Sequence, residues 1–600
     1  MALNILNNMK YIINKYITNR YIFFRIWKHI SLKRKFQFIG LLLVTVLASF
    51  SEVLSIGALI PFLGVLSNPD MDIPKPFQFF SEVMPPINNT DKLWIFTSLF
   101  CFTACFSAVI RIILIWLQTK ITFDCGADLG EKIYGKILSQ PYFMHIARSS
   151  SEVIATITSK TNAIVHSGLY PFAVIISTIF IAGSVIALLI FISPAISLFS
   201  IAGFGILYLA LAFSSKNILS KDSIAISELT TRQIKLLQEG LGGVRDVLLT
   251  GTQLIYVKSY AKSDRKLKNA LARQLIVSGS PRYILEGVVL VGIAYFAYIT
   301  IQNNYISDES LIPILGIVAF SAQRLLPLMQ QGYSSWAAIA SGSQSIFDAL
   351  EILDDKNIYS LSIDEATILF RKEIICNNIS FSHRSEKKII LENINLVIEK
   401  GDSIGITGKT GCGKSTLLDV MMGLLVPTDG DLLVDGEPIS KNNASAWQKN
   451  IAHVPQNIFL ADLTIAENIA FGIHKSKIDY SVLQEAIKLS QLEETIAELS
   501  LGINTTVGER GVRLSGGQQQ RLGIARALYR KKEIIFMDEA TSALDVETEK
   551  KIIFAIENIQ PKLTLIMIAH RTSTLLNCKK VYIIDKGKLL EDAYKVGKIR

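Results

Sequence analysis

Two stretches of the chain carry residue types suited to phosphate chemistry. The first, GKTGCGKST at residues 408–416, sets Gly408, Gly411 and Gly413 among Lys409, Thr410, Cys412, Lys414, Ser415 and Thr416. A loop of the form GxxxxGK[ST] turns backbone N–H groups, and the start of the helix that follows, toward phosphate oxygens. Lys414 would then reach the β- and γ-phosphates of a nucleotide, and Ser415 would ligate Mg2+. The second, EIIFMDEA at residues 533–540, supplies carboxylates. Four apolar strand residues end in Asp538, placed to hold Mg2+ through water, and Glu539 follows directly, placed to polarise the attacking water. The alternative for Glu539 is a plain surface acid.

These residues need a scaffold that aims them at one point, and the surrounding pattern supplies it. From Glu373 onward, short β-rich runs alternate with DG turns, as in VPTDGDLLVDGEPI, and then give way to helical stretches. DSIGIT reads as a strand running into the glycine loop, and LLDVMMGLL reads as the helix leaving it. Residues 373–600 are therefore expected to form an α/β P-loop nucleotide-binding domain.

The rest of the chain is different. Of 600 residues, 50% are hydrophobic and 19% charged, and the mean hydropathy is +0.37, with the apolar residues gathered before about residue 335. Six segments are long enough to cross the roughly 30 Å hydrocarbon core: 36–66, 93–119, 169–192, 195–213, 283–302 and 311–330. The net charge of +10 does not point to nucleic acid, because the excess lies in the first 35 residues, eight Lys or Arg with no acid, directly before an apolar run. That placement marks a cytoplasmic membrane flank. The leader is too long for a signal peptide and the apolar run continues past any cleavage point, so it is expected to stay as a span. The connection 67–92 holds two Lys against four acids, while 120–168 and 214–282 are rich in Lys and Arg. Both termini and those long connections are thus expected in the cytoplasm, with the long connections read as extensions of the membrane helices or as ordinary helical loops. The six cysteines form neither a CxxC pair nor a Cys/His cluster, which argues against a metal site or a disulfide framework. The expected layout is a basic segment 1–35, an all-α membrane domain of six helices over 36–335, a linker 336–372 and the α/β domain 373–600.

Further motifs narrow the class. LSGGQ at residues 514–518 places Ser515, Gly516, Gly517 and Gln518 at an expected helix start, where N–H groups and the Ser515 hydroxyl can meet an anion. With VPQN at Gln456, SALD at Ser542 to Asp545, and IAHR at His570, the chain resembles the ATP-binding cassette family. The resemblance implies ATP and Mg2+ as cofactors, with Gln456 as a further metal contact and Glu539, His570 and Gln456 as the catalytic set. It implies that LSGGQ of one cassette meets the γ-phosphate on its partner's P-loop, so two cassettes join head to tail. One cassette and six spans resemble a half-transporter, for which a homodimer is the economical assembly. TTVGERG at residues 505–511 resembles the loop that touches the membrane domain in exporters of this family. Those exporters usually stack a tyrosine on adenine about two dozen residues before the P-loop. Here ISFSHRS stands in that place, and His383 takes the position of the ring.

A soluble translation or repair factor would lack six spans. A gated channel tends to lose catalytic groups that are intact here, and a processing peptide exporter would carry a cysteine peptidase domain before the first span. Among exporters, SEVLSIGALIPFLGVLS, SPRYILEGV, QRLLP and the outer patch PFQFFSEVM resemble bacterial PglK-type flippases of lipid-linked oligosaccharides. The resemblance implies ATP-driven movement of a lipid-linked saccharide across the cell (inner) membrane, with a general lipid, drug or peptide exporter as the alternative. Arg111, Arg282 and Arg324 stand in or beside the spans, where a guanidinium costs about 2.5–3.5 kcal/mol at the bilayer centre on insertion scales. They are expected to line a basic cavity for an anionic headgroup. The competing expectation pairs Arg111 internally with Glu52 or Glu286 and makes Arg282 a charge flank.

Overall fold

Long runs of Leu, Ile, Ala and Phe with few helix breakers dictate long helices in the first half of the chain, and the computed structural model shows them. It describes residues 22–67, 89–192, 194–302, 308–355, 367–382, 389–559, 562–569, 571–575 and 578–590. The contacts divide the chain into two compact units, one formed by residues 1–140 and 148–358, the other by 141–147 and 359–600.

In the first unit, α1 (Ile22–His29) precedes α2 (Leu32–Ser67) and α3 (Asn89–Leu138). The short helix α4 (Tyr142–Ala147) groups instead with the second unit, where Phe143 packs at the margin of an apolar core. The first unit continues with α5 over 150–192, interrupted by π-helical turns at Thr156–Lys160 and Val165–Leu169. It ends with α6 (Pro194–Gly242), α7 (Val244–Leu249), α8 (Gln253–Gln302) and α9 (Asp308–Asp354). A 50-residue helix such as α3 or α8 is about 75 Å long at 1.5 Å per residue. That is more than twice the hydrocarbon thickness, so the long connections are continuations of the membrane helices and not separate loops.

Among the described residues, four helical stretches are long and apolar enough to span a membrane: Leu32–Leu59, Leu93–Leu138, Ser150–Phe191 and Gln253–Gly292. The expected fourth and sixth spans lie on α6 and α9, where many side chains fall outside the described residues. Only 17% of the apolar window on α3 is buried, and Phe102, Ile112, Ile115 and Trp116 are exposed on it. A helix that is apolar all round with an uncovered exterior suits lipid.

Two expected boundaries are corrected. Residues 336–354 are not linker but the last turns of α9, with Ala337, Ile346, Ala349 and Leu350 buried at helical spacing. The described part of the basic segment, residues 22–35, does not stand apart either, because Ile22 and Ile26 of α1 are buried and Arg25 and His29 bond Asp354 at 2.8 and 2.7 Å. The outer patch PFQFFSEVM lies outside the described residues.

The second unit is built on two sheets. β1 (Glu373–Ser382), β2 (Ile389–Glu399), β4 (Asp429–Val434) and β5 (Glu437–Pro438) form an antiparallel sheet in the order β2-β1-β4-β5. β3 (Ser403–Gly408), β6 (Ile451–Val454), β7 (Ile534–Asp538), β8 (Thr564–Ile568), β9 (Lys580–Asp585) and β10 (Lys588–Leu590) form the other, in the order β10-β9-β3-β8-β7-β6. The run β9-β3-β8-β7-β6 is parallel. Ile534 and Phe536 of β7 face one apolar core while Ile535 and Met537 face another. Burial on both faces explains why this strand reads as an unbroken apolar run rather than an alternating one.

Candidate nucleotide site and membrane arginine cluster

The central strand β3 delivers the glycine loop to the C-terminal edge of the parallel sheet, where ligands of open α/β sheets bind. Gly408 has φ 150°, and a Cβ there would lie 2.3 Å from the Ile584 carbonyl oxygen. Gly413 has φ 107°, a left-handed conformation, and a Cβ there would meet Leu391 Cδ2 at 2.9 Å. Gly413 is also the N-cap of α10 (Lys414–Met421), and no side chain caps that helix. Its first N–H groups and its dipole are thereby left to an anion. Lys414 is only 6% exposed, and its ammonium donates to the carbonyls of Gly408 at 2.8 Å and Lys409 at 3.1 Å. A buried cation bonded to neutral carbonyls, with no carboxylate salt bridge among the described residues, suits a nucleotide's phosphates.

The next strands bring in the second half of the site. β7 lies beside β8 with Asp538 opposite Ile568, and the Glu539 N–H donates to the Ile568 carbonyl at 3.0 Å. Glu539 has φ 50°, an uncommon left-handed conformation for a non-glycine residue. Gln456, two residues beyond β6, donates through Nε2 to Glu539 Oε2 at 2.7 Å. Asp419 on α10 has its carboxyl pushed up to about 6, chiefly by burial and also by the charge of Asp538, so the P-loop helix and the end of β7 adjoin. The structure thus gathers Gln456, Asp538 and Glu539 beside the helix that carries Lys414 and Ser415.

The signature segment differs in one detail from the expectation. Ser515 caps α11 (Gly516–Tyr529), its hydroxyl oxygen accepting from the Gln518 N–H at 3.3 Å while its own N–H donates to Gln518 Oε1 at 2.8 Å. This reciprocal capping box engages Ser515 and Gln518 with each other and leaves the Ser515 hydroxyl proton available to an anion. His383 and His570 lie outside the described residues.

Sequence reasoning missed the ties behind these loops. Gln520 on α11 donates to Ser542 Oγ at 3.0 Å and accepts from the Ala543 N–H at 2.8 Å. Glu549 on α12 (Val546–Glu557) is buried and accepts from the Thr541 and Thr574 hydroxyls at 2.6 Å each. Arg571, the neighbour of His570, donates to Glu549 Oε2 at 3.2 Å, to the Leu544 carbonyl at 2.9 Å and to the Ser542 carbonyl at 3.1 Å. The available signal was a carboxylate on the otherwise apolar face formed by Ile552, Ile553 and Ile556.

In the membrane unit, Arg111 and Arg324 come together and Arg282 does not join them. Arg111 Nη2 lies 2.8 Å from Glu52 Oε2, and Arg324 Nη1 lies 3.1 Å from Glu52 Oε1. Arg282 pairs with Glu286 one turn along α8 at 2.7 Å. The internal pairing with Glu52 weighed for Arg111 is present, and Arg324, expected with Arg111 along a basic cavity, shares the same carboxylate.

Comparison with known proteins agrees with this geometry. Residues 391–542 match the profile of the ABC transporter family. The heterocyst differentiation ATP-binding protein HepA of Nostoc sp. is 27% identical over 93% of this chain and 91% of its own length. An ATP-dependent lipid A-core flippase of Vibrio parahaemolyticus is 25% identical over 94% of each chain. Among solved structures, a bacterial Atm1-family ABC exporter with ATP bound superposes with a TM-score of 0.78 at 21% identity, covering 93% of this chain and 94% of that one. The fold is that of an ABC exporter, a helical transmembrane domain followed by an α/β cassette. The chain is an ATP-binding, ATP-hydrolysing transporter and a multi-pass membrane protein.

Proposed function

We propose that the chain uses ATP to move an amphipathic lipid with an anionic, pyrophosphate-type headgroup, such as a lipid-linked saccharide, across the cell (inner) membrane. The observation that carries this reading is the convergence of Arg111 and Arg324 from two apolar helices on one buried carboxylate. Their guanidiniums stay about a third exposed, at 36% and 33%, and planar guanidinium forks match phosphate oxygens. Relatives named as lipid A-core flippases support a lipid cargo. The transporter would work as a homodimer with both termini in the cytoplasm, each P-loop closed by the partner's LSGGQ.

At each site, the α10 N-terminus and Lys414 would hold the phosphates of ATP, whose hydrolysis supplies the free energy. Ser415, Asp538 and Gln456 would hold Mg2+. Glu539, steadied by Gln456, orients a water and accepts its proton, and His570 and His383 would complete the site at the γ-phosphate and the adenine.

A second reading, a general exporter of neutral amphiphiles, is favoured by Glu52, which offsets one of the two guanidinium charges. ATPase activity in proteoliposomes separates the two. A polyprenyl-pyrophosphate glycan should stimulate hydrolysis more than neutral lipids, drugs or peptides, and stimulation by neutral amphiphiles alone would establish the second reading.

A further inference from the structure

The function proposed above gives Glu52 no role of its own in handling cargo, yet it sits where three membrane helices meet. It lies within α2 with its side chain only 2% exposed, while Arg111 comes from α3 and Arg324 from α9. One oxygen, Oε1, pairs with Arg324. The other, Oε2, pairs with Arg111 and accepts from the Ser107 hydroxyl at 2.9 Å. The carboxylate is therefore on the inside and the two guanidiniums are on the accessible side. Arg111 Nε is buried and has no hydrogen-bond partner among the described residues, so Glu52 does not satisfy that guanidinium.

Electrostatics explain why the carboxylate is needed. Two guanidiniums close enough to share one carboxylate repel each other, and in an apolar surround that repulsion is weakly screened. Glu52 offsets one of the two guanidinium charges. It meets Arg111 at Nη2 and leaves that residue's Nε without a partner among the described residues, whereas a phosphate can take two nitrogens of a single fork.

We propose that Glu52 is a resident counter-anion: a positioning residue that holds Arg111 and Arg324 at the α2, α3 and α9 junction and that the anionic headgroup of the cargo competes with for the same guanidiniums. This rests on the anionic-lipid reading above. Loading of cargo then draws the arginines away from α2, so occupancy of the site is linked to the packing of three helices.

The test is the concentration of a polyprenyl-pyrophosphate lipid that half-maximally stimulates ATP hydrolysis by the full-length protein in proteoliposomes. Glu52→Gln keeps the shape and removes the competing charge, so that concentration should fall at least about fivefold, the lower end of typical couplings between linked ligands. Glu52→Asp, which keeps the charge, should stay near the parent. A purely structural glutamate would lower the thermal midpoint in Glu52→Gln without lowering the half-stimulating concentration, and that result overturns the proposal. If Glu52→Gln does not fold, Ser107→Ala, which loosens the carboxylate, should lower the concentration about twofold through loss of one hydrogen bond; an unchanged value overturns the proposal. Arg111→Ala and Arg324→Ala separate the layers. If neither weakens the response to the pyrophosphate lipid, the anionic-lipid reading fails. If both weaken it while Glu52→Gln leaves the concentration unchanged or raised, that reading stands and the role of Glu52 is wrong.

Discussion

Glu539 holds an uncommon left-handed backbone at the end of β7 and receives the Gln456 amide at 2.7 Å. Such a conformation costs roughly 1–3 kcal/mol and persists only when its surroundings enforce it. Here the neighbouring β8 carbonyl of Ile568 takes its N–H. Removing the carboxylate charge while keeping the shape should stop hydrolysis and spare nucleotide binding. Glu539→Gln is expected to lose on the order of 10² to 10⁴ in turnover and to accumulate as a closed, ATP-loaded dimer. Hydrolysis at the parent rate in the purified variant would refute the assignment.

Asp419 offers a second residue-level test. Its carboxyl is raised from 3.8 to about 6 by burial and by Asp538. A carboxyl raised on folding contributes stability that is present below its unfolded value and lost as pH rises through its folded value. Asp419→Asn removes that loss. The thermal midpoint of the variant should therefore gain on the parent as pH rises from 4 to about 6, most steeply near 5, midway between the two values, and level off above that. A difference that is flat or shrinks over that interval would show that Asp419 does not titrate there.

Among elements, α12 ties the turn after β7 to the segment after β8 through Glu549. Truncation to Ala leaves two hydroxyls and the Arg571 guanidinium without their shared acceptor, a cost of about 1–3 kcal/mol given that Arg571 is partly exposed. Because these loops flank Glu539 and His570, Glu549→Ala should lower kcat more than it raises KM, and Glu549→Gln should recover part of kcat. Loss of stability with kcat untouched would reduce Glu549 to a structural role. This tie was hidden in the sequence because it depends on which loops the sheet order brings together. The P-loop, Asp538, Glu539, Gln456 and Ser515 were legible because each falls within a short motif whose spacing implies its geometry. The start of the helical run 336–354 was hard to read, since AAIASGSQS at 337–345 is mostly small and polar, and small residues mark close packing only once a neighbouring helix is in place; IFDALEILD at 346–354 does carry apolar residues at helical spacing. Glu52 was named in the sequence as a partner for Arg111, but that Arg324 shares it depends on how α9 packs beside α2, which no motif encodes.

At the scale of the whole molecule, one cassette per chain requires a partner if the signature is to reach a phosphate. A Lys414→Ala chain and a Ser515→Ala chain, each inactive alone, damage opposite halves of a composite site. When they are mixed, about half of the dimers pair unlike chains, and each such dimer holds one intact site and one doubly damaged site. Partial ATPase activity should return in those mixed dimers. Its absence would exclude independent head-to-tail sites.

The central claim, that ATP moves an anionic-headgroup lipid past the arginine cluster, is tested most directly by flipping in proteoliposomes. A polyprenyl-pyrophosphate lipid and the matching neutral polyprenol would be followed side by side, with the parent, Glu539→Gln, Arg111→Ala and Arg324→Ala. The account predicts ATP-dependent movement of the pyrophosphate lipid by the parent, none by Glu539→Gln, and a strong reduction in both arginine variants. Equal movement of the neutral lipid, or full movement of the pyrophosphate lipid by both arginine variants, would contradict it.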